Sequence, residues 1–181
     1  MNVDTKKRVM LVDDHNLVRS GMAALLNQQG EFEVVAEATN GVEAIEKIKL
    51  VACDLLIVDL AMPRLGGIEV ITEIRRKNQQ IKILVLSMYD DAQFVARAMK
   101  AGANGFLLKD ALDEDLFWAI ESVFNGQDFI SELIDQDALR EFTFDDCELT
   151  CREKEVLHLI AEGKTNSDIA EVLSILSLIH I

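Results

Sequence analysis

Two rhythms alternate along the first two-thirds of the chain. Short, nearly solid apolar runs at Arg8 to Val12, Glu33 to Ala38, Leu55 to Val58, Lys82 to Leu86 and Gly105 to Leu108 have strand length. The third and fourth are almost wholly apolar, as expected of parallel strands covered on both faces. Between the runs lie longer stretches with helical spacing. Leu17, Met22, Leu25 and Leu26 read as one face, Ile68, Ile71 and Ile74 as another, and Leu116, Ile120, Val123 and Phe124 follow i, i+4, i+7, i+8. Asn40 with Glu43 has capping-box spacing at the second helix. Five strand-then-helix units over residues 7–125 predict a doubly wound parallel α/β domain.

The rhythm stops at Gly126. Residues 126–146 carry seven Asp or Glu against one Arg and read as a linker, helical around Ile134 to Phe142. A second module, residues 147–175, opens with a Thr150–Glu153 capping box and an apolar face of Val156, Leu157 and Ile160. Gly163 ends that helix, and Thr165 or Asn166 caps the next, which carries Ile169, Ala170 and Leu173. Two short helices around a glycine-containing turn are the opening of a helix-turn-helix.

Composition narrows the class. Half of the 181 residues are hydrophobic, enough for a sizeable core and against global disorder. The N-terminal MNVDTKKRVMLVDDH holds no long apolar run, so no signal peptide is expected, and the longest apolar stretches are far too short to span a bilayer. A soluble protein without a membrane partner is expected. Cys53, Cys147 and Cys151 form no CxxC and no zinc pattern, so they read as reduced thiols of a cytoplasmic protein. The net charge of −14 repels nucleic acid at long range, so any DNA-binding role needs a local basic surface.

Candidate chemistry sits where the strands end. Asp13 and Asp14 follow the first strand, Asp59 closes the third, Ser87 the fourth and Lys109 the fifth. With the flavodoxin-like order 2-1-3-4-5, strands one and three flank the switch point where such sheets bind ligands, so the three carboxylates should converge there. Taken singly, an Asp or Ser after a strand is more often the N-cap of the next helix, and Asp14 suits a helix beginning near His15. Three carboxylates in one crevice repel one another unless a cation neutralises them. Oxygen-only ligation by one or two carboxylates plus waters suits Mg²⁺. Lys109 would offer a point charge and Ser87 a hydroxyl to a phosphate oxygen, with Asp59 attacking in line.

The strings LVDDH at 11–15, LLIVDLAMPRLGG at 55–67, LVLSMYD at 84–90 and GANGFLLKD at 102–110 closely resemble receiver domains of two-component systems. The resemblance covers residues 7–125 and implies a flavodoxin-like (βα)5 receiver phosphorylated by a sensor histidine kinase. It further implies that Asp59 is the phosphoacceptor and that Asp13 and Asp14 organise Mg²⁺, with the Ala61 carbonyl as a further ligand. Ser87 would hydrogen-bond the phosphoryl group and Lys109 would pair with it. Phe106 stands at the place of the switch aromatic, which turns inward when Ser87 moves. From the residues alone, Phe106 reads as a buried edge-strand aromatic.

Residues 149–173, LTCREKEVLHLIAEGKTNSDIAEVL, resemble the start of the LuxR-type helix-turn-helix of NarL/FixJ regulators. That module binds promoter DNA as a dimer with its third helix in the major groove. Transcription control and a homodimer on phosphorylation are therefore implied. The third helix is not legible: after Leu173 the chain reads SILSLIHI, and residues 147–181 hold three Lys or Arg against six Asp or Glu. Leu176 to Ile181 would be encoded by CTG TCT CTT ATA CAC ATC, which resembles a transposon end used in sequencing libraries. Residues 176–181 read either as the apolar tail of a natural truncation or, more sharply, as a translated adapter on a gene fragment, leaving an intact receiver on an incomplete helix-turn-helix. Specific DNA binding is then expected of the full-length parent only, and weak hydrogen-exchange protection after Asp146.

Smaller features divide more evenly. Trp118, off the main stripe of the fifth helix, suits a docking surface or local packing equally well. His15 follows the acidic pair and could influence the protonation of the site, but it reads first as a partly exposed loop or helix-start histidine. A phosphatase of the haloacid-dehalogenase type would need an acid two residues after Asp59, where Ala61 stands. An FMN carrier is disfavoured by the acidic first loop. A receiver acting without DNA, as a phosphate sink or interaction switch, is the other alternative.

Overall fold

The computed structural model describes residues 6–141 together with 156, 159–160, 164–165 and 168–169. The expected alternation is present: β1 (Lys7–Val12), α1 (Asn16–Gln28), β2 (Phe32–Ala38), α2 (Gly41–Lys47), β3 (Leu55–Asp59), α3 (Gly67–Lys77), β4 (Lys82–Ser87), α4 (Ala92–Ala101), β5 (Gly105–Leu108) and α5 (Leu112–Phe124). These strands pair in parallel, in the order 2-1-3-4-5. They follow the flavodoxin-like order, and each begins and ends within one residue of its apolar run.

Because side chains alternate across a strand, each strand feeds two cores. Met10, Leu56, Ile83 and Phe106 face α2, α3 and α4, whereas Leu11, Ile57, Leu84 and Leu107 face α1 and α5. The α1 face differs from the expected one. Its buried stripe is Arg19, Met22 and Leu26, while Leu17 is 86% exposed and Leu25 is also exposed. At about 100° per residue, Leu17 lies about 140° from Met22, too far to share its face.

The stretch expected to be a linker adds to the sheet. A two-residue strand, β6 (Phe129–Ile130), covers the open edge of β5, and α6 (Gln136–Glu141) follows within the region expected to be helical. The Ser131 N–H donates to the Phe106 carbonyl at 2.9 Å. Ile134 is buried in the same core as Phe106, and α6 packs on α4. Covering β5 in this way removes an unpaired strand edge. Trp118 is half exposed and makes an edge-to-face contact with Phe129, 5.2 Å between centroids.

At α2 the Asn40 side chain accepts from the Glu43 N–H. Glu43 reaches one residue further back than expected, accepting from Thr39 N at 2.8 Å and Thr39 Oγ1 at 2.9 Å. In the second module Thr165 and Asp168 cap each other. Leu159 and Ile169 are buried with Val156 against them, and Ile160, expected inside, is half exposed. The Thr150–Glu153 box, Leu157, Ala170, Leu173 and residues 176–181 lie outside the described residues. Among the described residues no helix is long and apolar enough to cross a membrane.

Candidate functional site

In a parallel sheet, residues that close neighbouring strands meet at one edge. That edge gathers Asp13 and Asp14 after β1, Asp59 at the end of β3, Ser87 at the end of β4 and Lys109 after β5. Asp13 and Asp59 are buried, and the Lys109 side chain, 4% exposed, runs between them. Its Nζ donates to Asp59 Oδ2 at 2.8 Å and pairs with Asp13 Oδ2 at 2.9 Å. Burial opposes the ammonium, yet Asp59 and then Asp13 outweigh it and hold the Lys109 pKa above the ordinary lysine value.

The loop after Asp59 closes tightly. The Ala61 N–H donates to Asp59 Oδ1 at 3.2 Å, and the Gly67 N–H to the Leu60 carbonyl at 3.0 Å. A Cβ on Gly67 would collide with the Asp59 carbonyl and stand 2.8 Å from Leu60 Cα, so only glycine fits there.

Ser87 reaches the same edge, but its hydroxyl faces its own chain. It accepts from the Tyr89 N–H at 2.9 Å and donates to the Tyr89 carbonyl at 3.0 Å, and neither bond reaches Asp59. Phe106 is fully buried on β5 in register with Val85 of β4.

Asp13, not Asp14, organises the start of α1. The N-cap position is His15, which makes no side-chain cap bond, while Asp13 Oδ1 accepts the His15 N–H at 2.7 Å. The imidazole then turns into the pocket. Its Nδ1 lies 3.1 Å from Asp14 Oδ1, 3.2 Å from Asp13 Oδ1 and 3.8 Å from Asp59 Oδ2. Its pKa rises to about 9, chiefly through Asp59 and further through Asp14 and Asp13, against burial and the Lys109 charge. The 3.8 Å separation makes the Asp59 contact an ion pair, and the shorter contacts to Asp13 and Asp14 set the ring's position. Donor atoms from Asp13, Asp14, His15 and Asp59 all lie within 4.8 Å of one another. The sequence offered two readings of His15, an influence on the site and a partly exposed helix start; the ring is half exposed and turned towards the carboxylates, so both hold. Arg19 also escaped the sequence: it is buried behind this loop and donates to the Asp13 carbonyl at 2.7 Å.

Known proteins share this fold and much of this sequence. The response regulator receiver domain family matches residues 9–121, and the luxR family of bacterial regulatory proteins matches residues 148–177. The oxygen regulatory protein NreC of Staphylococcus aureus is 35% identical over 178 residues, covering 92% of this chain and 82% of NreC. A LuxR-family two-component response regulator from Aurantimonas sp. SI85-9A1 superposes with a TM-score of 0.71 at 34% identity, over 76% of this chain and 98% of that one. RcsB of Salmonella typhimurium gives 0.68 at 29% identity, over 94% and 84% of the two chains. RcsB solved in complex with DNA gives 0.69 at 28% identity, over 95% and 85%. The chain belongs to the two-component response regulators of the NarL/FixJ type, with a receiver domain followed by a LuxR-type segment.

Proposed function

We propose that phosphorylation of Asp59 switches this protein, and that a complete LuxR-type module delivers the output as sequence-specific binding of promoter DNA. The observation that carries the reading is the buried Asp59–Lys109–Asp13 group beside Asp14 at one sheet edge. The residues fit Mg²⁺. Three carboxylates supply hard oxygen donors, and with Lys109 and a protonated His15 counted the pocket still carries net negative charge. Asp13, Asp14, Asp59 and the Ala61 carbonyl would hold the ion. When bound, it offsets charge on the transferring phosphoryl group and helps orient it.

The chain's own groups do the rest. An Asp59 carboxylate oxygen forms the new bond to phosphorus while the bond to the phosphohistidine of a sensor kinase breaks, and the imidazole leaves with the electron pair. Lys109 exchanges part of its pairing with Asp59 for a phosphoryl oxygen. Ser87 gives up the Tyr89 main chain and donates its hydroxyl to the phosphoryl group. Phe106, on the strand beside Ser87, is already turned inward while Ser87 holds the Tyr89 main chain, so the expected inward turn is not tied to the movement of Ser87. The covalent chemistry is confined to the protein's own phosphorylation and dephosphorylation, since Ala61 offers no general acid two residues after Asp59.

The output half rests on the match over residues 148–177 and on RcsB, a relative solved with DNA. Homodimerisation on phosphorylation and a cytoplasmic location accompany this reading. Radiolabelled acetyl phosphate with Mg²⁺ tests the switch: wild-type protein should take up label and Asp59→Asn none. Equal label in both would remove Asp59 from the reaction.

A further inference from the structure

Arg19 sits on α1 directly behind the acidic pair, only 8% exposed. A buried guanidinium is tolerated when its donors are matched, and here all three nitrogens are. Nη1 donates to the Asp13 carbonyl at 2.7 Å, Nε to Glu37 Oε2 at 3.0 Å and Nη2 to Asn16 Oδ1 at 2.8 Å. These acceptors belong to the loop after β1, the end of β2 and the start of α1. The Asp13 main chain is held from its other side too, its N–H donating to the Ala38 carbonyl at 3.1 Å. Asp13 is thus fastened to β2 twice, once directly and once through Arg19 and Glu37.

The gripped carbonyl belongs to the planar peptide that joins Asp13 to Asp14. Fixing that oxygen fixes the plane, and with it the direction in which Asp14 leaves the loop. Crowded carboxylates repel, and rotation of this peptide is the local motion that would separate them. We infer that Arg19 is a positioning residue for cation binding, a guanidinium clamp that holds both acidic side chains of the β1–α1 loop in ligating position. The inference rests on Asp13, Asp14 and Asp59 being the Mg²⁺ ligands. Lysine cannot replace the clamp in full, because its single ammonium does not present a planar fork to three acceptors.

The test is a Mn²⁺ titration of the whole chain, following loss of the free-ion electron paramagnetic resonance signal, at a temperature where circular dichroism shows every variant folded. Arg75 supplies the control. It is also multidentate, donating to the Gly102 and Ile81 carbonyls, both at 2.7 Å, and to Asn104 Oδ1 at 2.8 Å, at the opposite end of the sheet. Arg19→Ala and Arg75→Ala should both lower Tm. Of these two, Arg19→Ala alone should weaken Mn²⁺, by about tenfold or more, the scale seen when partners of metal ligands are removed. Arg19→Lys should fall between Arg19→Ala and wild type, and it carries the test should Arg19→Ala not fold. Wild-type affinity in the Arg19 variants, or equal weakening in Arg75→Ala, would overturn the clamp. Failure of the wild-type protein to bind Mn²⁺, or undiminished binding by Asp13→Asn, would instead overturn the metal-site reading beneath it.

Discussion

At the residue scale the pocket turns on Lys109, which lies where Asp13 and Asp59 would otherwise face each other with little solvent between them. Removing one member of a buried ion pair leaves the other charges uncompensated, at a cost of about 3–5 kcal/mol. Lys109→Met should therefore lower the unfolding free energy by about 3 kcal/mol in urea titrations at neutral pH. An unchanged midpoint would mean that His15 alone compensates the carboxylates. The residues that meet at this edge were legible because parallel pairing carries the end of each strand to one place, whatever the loops do. Arg19 was not, and His15 was only in part: its place beside the acidic pair was legible, the direction of its ring was not. Whether a helix-start side chain turns inward depends on where α1 begins, and a buried arginine reads in sequence like an exposed one. Phe106 shows the reverse case, since its full burial was expected from the residues alone.

At the element scale, glycines and caps decide how accurately the strands deliver those residues. Gly67→Ala would press a methyl group against the backbone of Asp59 and Leu60, neither of which yields easily. We expect a loss of about 1–3 kcal/mol in urea unfolding together with slower phosphorylation. Gly21, mid-helix in α1 with nothing within 4 Å of an added Cβ, should behave oppositely. Gly21→Ala is expected to gain about 0.5–1 kcal/mol. The α2 cap gives a pH dependence. Lys47 and then the Thr39 N–H hold the Glu43 pKa near 2, below its ordinary 4.5. A lowered carboxylate pKa stabilises the fold above the unfolded value, and that contribution disappears as pH falls from 4.5 towards 2. The stability difference between wild type and Glu43→Gln should therefore be present at neutral pH and shrink across that window. A constant difference would contradict the cap. Apolar runs of strand length made β1 to β5 legible, whereas β6 is two residues long and pairs with the edge of β5. No periodicity in so short a segment could announce it.

At the scale of the whole molecule, the sheet joins the edge that carries Asp59 to the segment that leads towards the LuxR-type module. Through β6 and α6 that segment is bonded to the main chain of Phe106 and packed on α4, so it belongs to the receiver structurally. A chain ending at Gly126 should accordingly unfold at lower urea concentration than one ending at Glu141, because Phe106 and its neighbours lose Ile134 from their core. Equal midpoints would show that β6 and α6 contribute no stability. The central claim concerns Asp59 itself, and mass spectrometry tests it most directly. Treated with acetyl phosphate and Mg²⁺, the wild-type protein should gain the mass of a single phosphoryl group, located on Asp59 after proteolysis. The gain should be absent with chelator and absent in Asp59→Asn. A phosphoryl group on another residue, or one acquired without a divalent cation, would contradict the account.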